Sequence, residues 1–541
     1  MSSTTEPESA ESTNPPATHT DFEVDVSSLS LPEKVGQLFV AGFDGTTPTA
    51  AIEELVSERH LGGVIYFSRN VESPGQLRTL SRTLQGFVPH GKPPLLLSID
   101  QEGGRVARLP WGTELPSAMA LGATDDPELA SRAGRAVGSE LRALGVDIDL
   151  APVLDVNNNP DNPVIGVRSF GERPERVAEL GAAFADGLQD AGVVACGKHF
   201  PGHGDTAVDS HLDLPVIDHD RERLDAVELK PFRRAIDAGI GAIMTTHVAF
   251  PTIAEDAERP ATLSPRVVTG LLREELSFDG LVVTDCMEMK AIADGVGTVE
   301  GCVQAVEAGC DQLCVSHTPA KQRAAIDAVI EAVESGRIAE SHIDAAVRRV
   351  LRAKRVYGAG YVGGENEWDD GAAECRSTAR EVAERGVTLV RDEADALPLP
   401  QRVAVYEFDG GRGSPAEEAS GRGGAFASAL SATGVAVDGT VLAPGELPEE
   451  RANSPRETVV CTSDAASNPD QAAVVQALQE AGANPIVVAT RNPYDLAAMP
   501  NVETYLTTYD DTPASLAAAA ELLAGKGTPS GRLPVTIPDG R

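Results

Sequence analysis

From Leu31 onward, short apolar runs rich in β-branched residues alternate with longer amphipathic stretches, the pattern of parallel strands joined by crossover helices. Eight such runs are predicted strands: 38–42, 63–67, 95–99, 147–154, 193–198, 242–247, 281–284 and 312–315. Helical periodicity marks 127–144, 176–191, 223–238, 264–275 and 299–308, and a last helix of this unit is expected over 343–356. Eight strands alternating with helices fit a (β/α)8 TIM barrel over 29–356 better than an open sheet.

Residues 1–28 are polar, Pro-containing and aperiodic, so they bury too little surface to offset ordering and are expected to form a disordered tail. The Gly- and acid-rich stretch 357–375 reads as a linker. A smaller C-terminal α/β sandwich domain is expected over 376–541, with strands at 402–407, 458–461, 485–489 and 504–508 and helices at 471–481 and 512–524. Its Gly-rich loop 411–424 lacks the strand–turn–helix context of a nucleotide fingerprint and reads as a surface loop.

Composition narrows the function classes. The 541 residues carry 82 acidic against 45 basic side chains, a net charge of −37, and only eight of the basic residues are Lys. Such a surface repels nucleic acid. Because the excess runs the length of the chain, it resembles adaptation to molar salt, where screening over a few ångströms removes self-repulsion. No apolar run approaches the roughly 18 residues a membrane span needs. Seven scattered cysteines, with no paired metal-ligand spacing, suit small core residues in a reducing compartment, so no metal site is expected. The polar N-terminus is not a secretory signal, and a cytoplasmic location is expected.

Active sites of parallel barrels are built from strand C-termini and the loops after them. Four predicted strands end in polar clusters: Asp100-Gln101-Glu102-Gly103-Gly104-Arg105, Lys198-His199, Thr246-His247 and Thr284-Asp285. Lys198-His199 leads into a polar loop too elaborate for a simple connection, running through His203 to Asp209-Ser210-His211. Two residues apart in an extended segment, Asp209 and His211 can project to the same side, and the carboxylate can orient the imidazole.

In order along the chain, IDQEGGRVARL, IGVRSFG, KHFPGHGDTAVDSH and VVTDCMEM resemble glycoside hydrolase family 3, specifically its β-N-acetylglucosaminidase branch. The resemblance runs from about Leu31 to the C-terminus, where ATRNPYDL (489–496) and SGRLPVTIP (530–538) match the second domain. It implies a retaining exo-glycosidase that removes terminal β-linked N-acetylglucosamine from a small carbohydrate, with no cofactor. Carried over by motif, Asp285 is the implied nucleophile and His211, held by Asp209, the implied acid/base. Asp100, Arg108, Arg168, Lys198 and His199 are the implied sugar-binding residues, and His203 is expected to be structural. His247 stays unassigned between lining the pocket and capping the barrel. In other branches the second domain supplies a glutamate acid/base; here the Asp209–His211 loop makes one unnecessary. A phosphorylase using the same residues, a β-glucosidase or xylosidase of the same family, and a non-catalytic sugar-binding protein stay open as alternatives.

The acidic surface predicts a folded state that tightens with salt. Thermal unfolding followed by circular dichroism should show a clearly higher midpoint in about molar KCl than in dilute buffer, because the Debye length shrinks to about 3 Å; equal midpoints would exclude salt adaptation.

Overall fold

The computed structural model describes residues 24–206, 214–408, 416–418, 422–448 and 457–538. Its first unit is a ring of eight parallel strands: β1 (Phe39–Ala41), β2 (Gly63–Tyr66), β3 (Leu96–Ile99), β4 (Ile148–Asp149), β5 (Val194–Phe200), β6 (Ala242–Thr245), β7 (Leu281–Thr284) and β8 (Leu313–Val315). They pair in the order β8-β1-β2-β3-β4-β5-β6-β7. The ring closes where Val283 meets Gln312, the Thr284 N–H reaching the Gln312 carbonyl at 2.9 Å. This is the (β/α)8 barrel that the strand–helix alternation predicts.

The strands are buried on both faces, which is why each reads as an unbroken apolar run. Inward residues such as Ile65, Leu96, Val194 and Leu281 fill the barrel, and Val350 and Ala353 of the helix Glu340–Val356 belong to the same apolar cluster. β4 is much shorter than the predicted run 147–154: Pro152 has no N–H to donate, although the Ala151 carbonyl still accepts from the Cys196 N–H and a parallel bridge joins Val153 to Lys198.

Two outer helices, α1 (Pro127–Ala143) and α2 (Pro174–Asp190), both begin with Pro, and the Asp126 side chain caps α1 by accepting from the Glu128 and Leu129 N–H groups. They touch backbone to backbone. A Cβ at Gly134 would stand 2.1 Å from the Phe184 carbonyl oxygen, and one at Gly187 would stand 2.0 Å from that of Ser131.

Three readings need correction. The expected linker 357–375 is helical from Glu365, as part of α3 (Glu365–Gly386). Ala372, Cys375, Ala379, Val382 and Ala383 form its buried stripe at helical spacing, which the Gly and acid content of the segment hides. The tail expected over 1–28 lies outside the described residues up to 23, but Val26–Ser28 form a 3-10 turn capped by Asp25, with Val26 buried. The predicted helix 223–238 is two, Arg221–Ala226 and Leu229–Asp237, because Pro231 is tolerated only in a first helical turn.

The second unit is a six-stranded mixed sheet of β9 (Thr388–Asp392), β10 (Arg402–Phe408), β11 (Ala436–Leu442), β12 (Glu457–Thr462), β13 (Ile486–Ala489) and β14 (Thr504–Thr507), flanked by helices. Its order is β9-β14-β13-β12-β10-β11, parallel except for β9 against β14. Neither edge strand is predicted from sequence: β9 is only partly buried and ends in polar residues, and β11 is largely exposed, so neither shows a plain apolar run. This domain joins the barrel by specific contacts: the Ser117 N–H donates to Asp510 at 2.8 Å, and Asn157 Nδ2 donates to the Tyr494 hydroxyl at 3.0 Å. Among the described residues no helix is long and apolar enough to cross a membrane.

Gly187→Ala should force α1 and α2 apart and lower stability by about 1–3 kcal/mol, the usual cost of overpacking. Chemical denaturation in KCl reads this directly, and an unchanged midpoint would mean that the helices separate without cost.

Candidate active site

The C-terminal ends of the strands open into one cavity of about 650 Å³. Asp100, Arg108, Arg168, Lys198, His199 and Asp285, each singled out from the sequence, all line it.

One wall is a chain of buried charges. After β3 a short hairpin, Gln101–Gly103 with Val106–Ala107, turns Glu102 into the barrel mouth. Arg168 grips Glu102 with two parallel bonds of 2.8 Å, and Lys198 Nζ lies 2.6 Å from Glu102 and 2.8 Å from Asp100. Arg108 approaches Asp100 at 3.5 Å. Burial pushes both carboxyls up, but the cations outweigh it: Lys198 and Arg108 hold Asp100 below the ordinary carboxylate range, and Arg168 and Lys198 do the same for Glu102. Burial would lower the Lys198 pKa, yet Asp100 and Glu102 raise it, so the ammonium stays charged.

A second carboxylate anchors the histidines. Asp155 accepts from the His199 backbone N–H, from His199 Nδ1 at 2.7 Å and from the His203 N–H at 2.6 Å. Burial raises its pKa, but His199 more than compensates and keeps it ionised, so Nδ1 must be the donor and Nε2 is the nitrogen left for a ligand. His203, 2% exposed, also lines the cavity and bonds through Nδ1 to the Thr206 hydroxyl at 3.0 Å. Burial drives its pKa down to about 4 against the opposing pull of Asp155, so the ring is neutral at pH 7.

Asp285 follows β7 on the opposite side of the ring from β3. Its Oδ1 accepts from the Cys286 N–H at 2.7 Å, and its own N–H points to the Thr245 carbonyl at 3.3 Å. His247 does not line the cavity. It lies behind this turn, with Nδ1 2.9 Å from the Thr262 hydroxyl and Nε2 3.1 Å from the Cys286 carbonyl, and so holds the backbone that presents Asp285.

Asp209 and His211 lie outside the described residues. Sequence reasoning did not assign Glu102 or Asp155, although signals existed: Glu102 sits in the polar string after β3, and Asp155 directly follows the predicted strand 147–154. Ala416, Glu417 and Glu418 also line the cavity. They correct the reading of 411–424 as a surface loop: Arg108 donates to Glu418 at 2.6 Å and to the Ala416 carbonyl at 3.0 Å. Nothing local in the sequence marks a contact 310 residues away. Among the described residues, Asp205, His219 and Glu228 are grouped closely enough to share a cation, but Arg223 already reaches both carboxylates, at 3.5 and 3.2 Å.

A family model described as Glycosyl hydrolase family 3 N terminal domain matches residues 30–353, and one described as Glycosyl hydrolase family 3 C-terminal domain matches 387–541. A solved glycoside hydrolase family 3 β-N-acetylglucosaminidase from Paenibacillus sp. str. FPU-7 is similar at 43% identity, covering 95% of this chain and 99% of that one with a TM-score of 0.88. A β-N-acetylglucosaminidase/β-glucosidase of Cellulomonas fimi is 30% identical over 94% of both chains. β-Hexosaminidase A of Pseudoalteromonas piscicida is 37% identical over 57% of this chain, a match that spans 56% of that relative's length.

The depressed His203 pKa makes stability pH-dependent with a definite sign. Between pH 6.5 and about 4 the unfolded imidazole binds a proton that the folded one refuses, so stability falls as pH falls through this window. Between pH 7 and pH 4.5, His203→Gln should remove about 2 kcal/mol of that decline, at roughly 1.4 kcal/mol per pKa unit. Denaturant titrations of both proteins at pH 7 and pH 4.5 measure it, and parallel declines would show that His203 does not carry the effect.

Proposed function

The chain belongs to glycosyl hydrolase family 3, and from that premise we propose that it is a retaining, exo-acting β-N-acetylglucosaminidase that cleaves terminal non-reducing β-linked N-acetylglucosamine. The observation that carries this reading is the placement of Asp285 across the cavity from a wall of Asp100, Arg108, Lys198 and Arg168. A sugar seated between them has hydroxyl partners on one side and a carboxylate on the other.

In this reading the Asp285 carboxylate attacks the anomeric carbon as the aglycone oxygen takes a proton, giving a glycosyl ester. Water, deprotonated by the same acid/base, then opens the ester from the face the aglycone left, so configuration is retained. The Cys286 N–H bond and the His247 brace fix Asp285 for both displacements. His211, oriented by Asp209, carries the proton; its segment departs from Thr206, which is bonded to the cavity-lining His203. Asp100 and Lys198 bind hydroxyls, Arg108 and Arg168 orient the carboxylates beside them, and His199 offers Nε2. Every step is proton or carboxylate chemistry, so we propose that no metal or organic cofactor takes part, and that the enzyme works in the cytoplasm on a small carbohydrate. The similarity to the Paenibacillus enzyme, over nearly all of both chains, favours the acetamido sugar.

Aryl β-N-acetylglucosaminide should be turned over in molar KCl in preference to aryl β-glucoside, without acceleration by phosphate. Asp285→Ala should reduce turnover to background, and His211→Ala should lower it by about 10²–10⁴-fold, the usual worth of general acid–base catalysis. Undiminished turnover by Asp285→Ala would refute the covalent mechanism. Phosphate-dependent release of sugar 1-phosphate would identify a phosphorylase instead.

A further inference from the structure

The barrel alone does not complete the cavity wall above β2 and β3. Glu418, from the second domain, places one carboxylate oxygen 2.6 Å from the Ser68 hydroxyl after β2 and 2.6 Å from Arg108 Nη1 on the hairpin after β3. The same Arg108 nitrogen donates to the Ala416 carbonyl at 3.0 Å, and the Glu418 N–H donates to the Arg105 carbonyl at 2.9 Å, so the strap is tied through backbone as well as side chain. Arg108 is thereby shared. Its other terminal nitrogen lies 3.5 Å from Asp100, beyond a good charge-assisted bond, whereas its bond to Glu418 is short.

We propose that Glu418 is a positioning residue for substrate recognition: by holding Arg108 against the second domain, it keeps the Asp100 carboxylate open to sugar hydroxyls at the end of the cavity opposite Asp285. Without it, only the uncharged Ala416 carbonyl is left to oppose the pull of the Asp100 carboxylate on Arg108, and the hydroxyls then compete with an internal ion pair. Because Glu418 stands over β2 and β3 while Asp285 follows β7 across the ring, it acts on binding and not on the displacement at the anomeric carbon. Its carboxylate is engaged with Arg108 and Ser68, which assigns it a holding role rather than that of the proton carrier. This inference rests on the function proposed above.

The test is steady-state kinetics on aryl β-N-acetylglucosaminide for wild type, Glu418→Gln, Arg108→Met, the double variant and Arg422→Met, each first checked for a wild-type melting curve in KCl. Arg422 crosses the same domain interface to Glu114 at 2.6 Å without lining the cavity, so it reports what loosening the interface alone does. Glu418→Gln should raise KM about tenfold with kcat within about threefold of wild type, the signature of lost binding shared by ground and transition states. It should add nothing in the Arg108→Met background, because it acts through that guanidinium, and Arg422→Met should leave KM unchanged. An unchanged KM in Glu418→Gln, effects that multiply with Arg108→Met, or the same shift from Arg422→Met would each overturn the inference while wild-type turnover stands. A kcat collapse confined to poor leaving groups would make Glu418 a proton carrier and overturn it too. Absence of wild-type turnover would overturn the proposed function, and this inference with it.

Discussion

Glu102 is the constraint on which the cavity's polar wall depends. An ionised carboxylate taken out of water costs several kcal/mol, and that cost is met only by partners of good geometry. Arg168 and Lys198 supply them from a loop and a strand far apart in sequence, so three segments are pinned by one charge. The strand ends are thereby given fixed positions, and Lys198 is left with one further bond, to Asp100, which faces the cavity. Removal of either cation would leave the buried Glu102 with only one of its two charge partners, a larger penalty than the loss of an exposed ion pair.

The division of labour between the two domains follows the same logic. The barrel supplies Asp285 and most of the charges, but Arg108 reaches out of it and is satisfied by the second domain. A guanidinium has five donors in a rigid fork, so Arg108 can hold the second domain through one terminal nitrogen while the other faces Asp100. The second domain is thus part of the cavity, and it shapes the wall beside Asp100 rather than the side that carries Asp285.

How much of this was legible in the sequence depends on the range of the interaction that determines each feature. The barrel was legible because its strands are buried on both faces and its helices on one, so period and apolarity state the burial directly; Gly63–Tyr66 and Leu281–Thr284 are plain in the chain. Asp100, Lys198, His199 and Asp285 could be singled out because each directly follows or ends a strand. Asp155 escaped because, at the end of the predicted strand 147–154, only the fold brings the histidines it anchors to it, and Glu102 because its burial comes from a hairpin only two to three residues long on each side. α3 was hidden by composition, since its buried stripe consists of small residues among acids. Glu418 could not be found by any local rule, because its partners belong to another domain.

The net charge and the site are separable for a physical reason. Among the described residues most acidic side chains are not buried, and molar salt screens their charge over a few ångströms. The cavity cluster is different: Lys198 and Glu102 are 2% and 4% exposed, and their attraction passes through protein rather than electrolyte. Three cations there, Arg108, Arg168 and Lys198, stand against three carboxylates, Asp100, Glu102 and Glu418, so the wall carries little net field of its own. Salt therefore acts on whether the chain folds much more than on how the folded site is arranged. An acidic surface can vary without disturbing this neutral, internally paired wall.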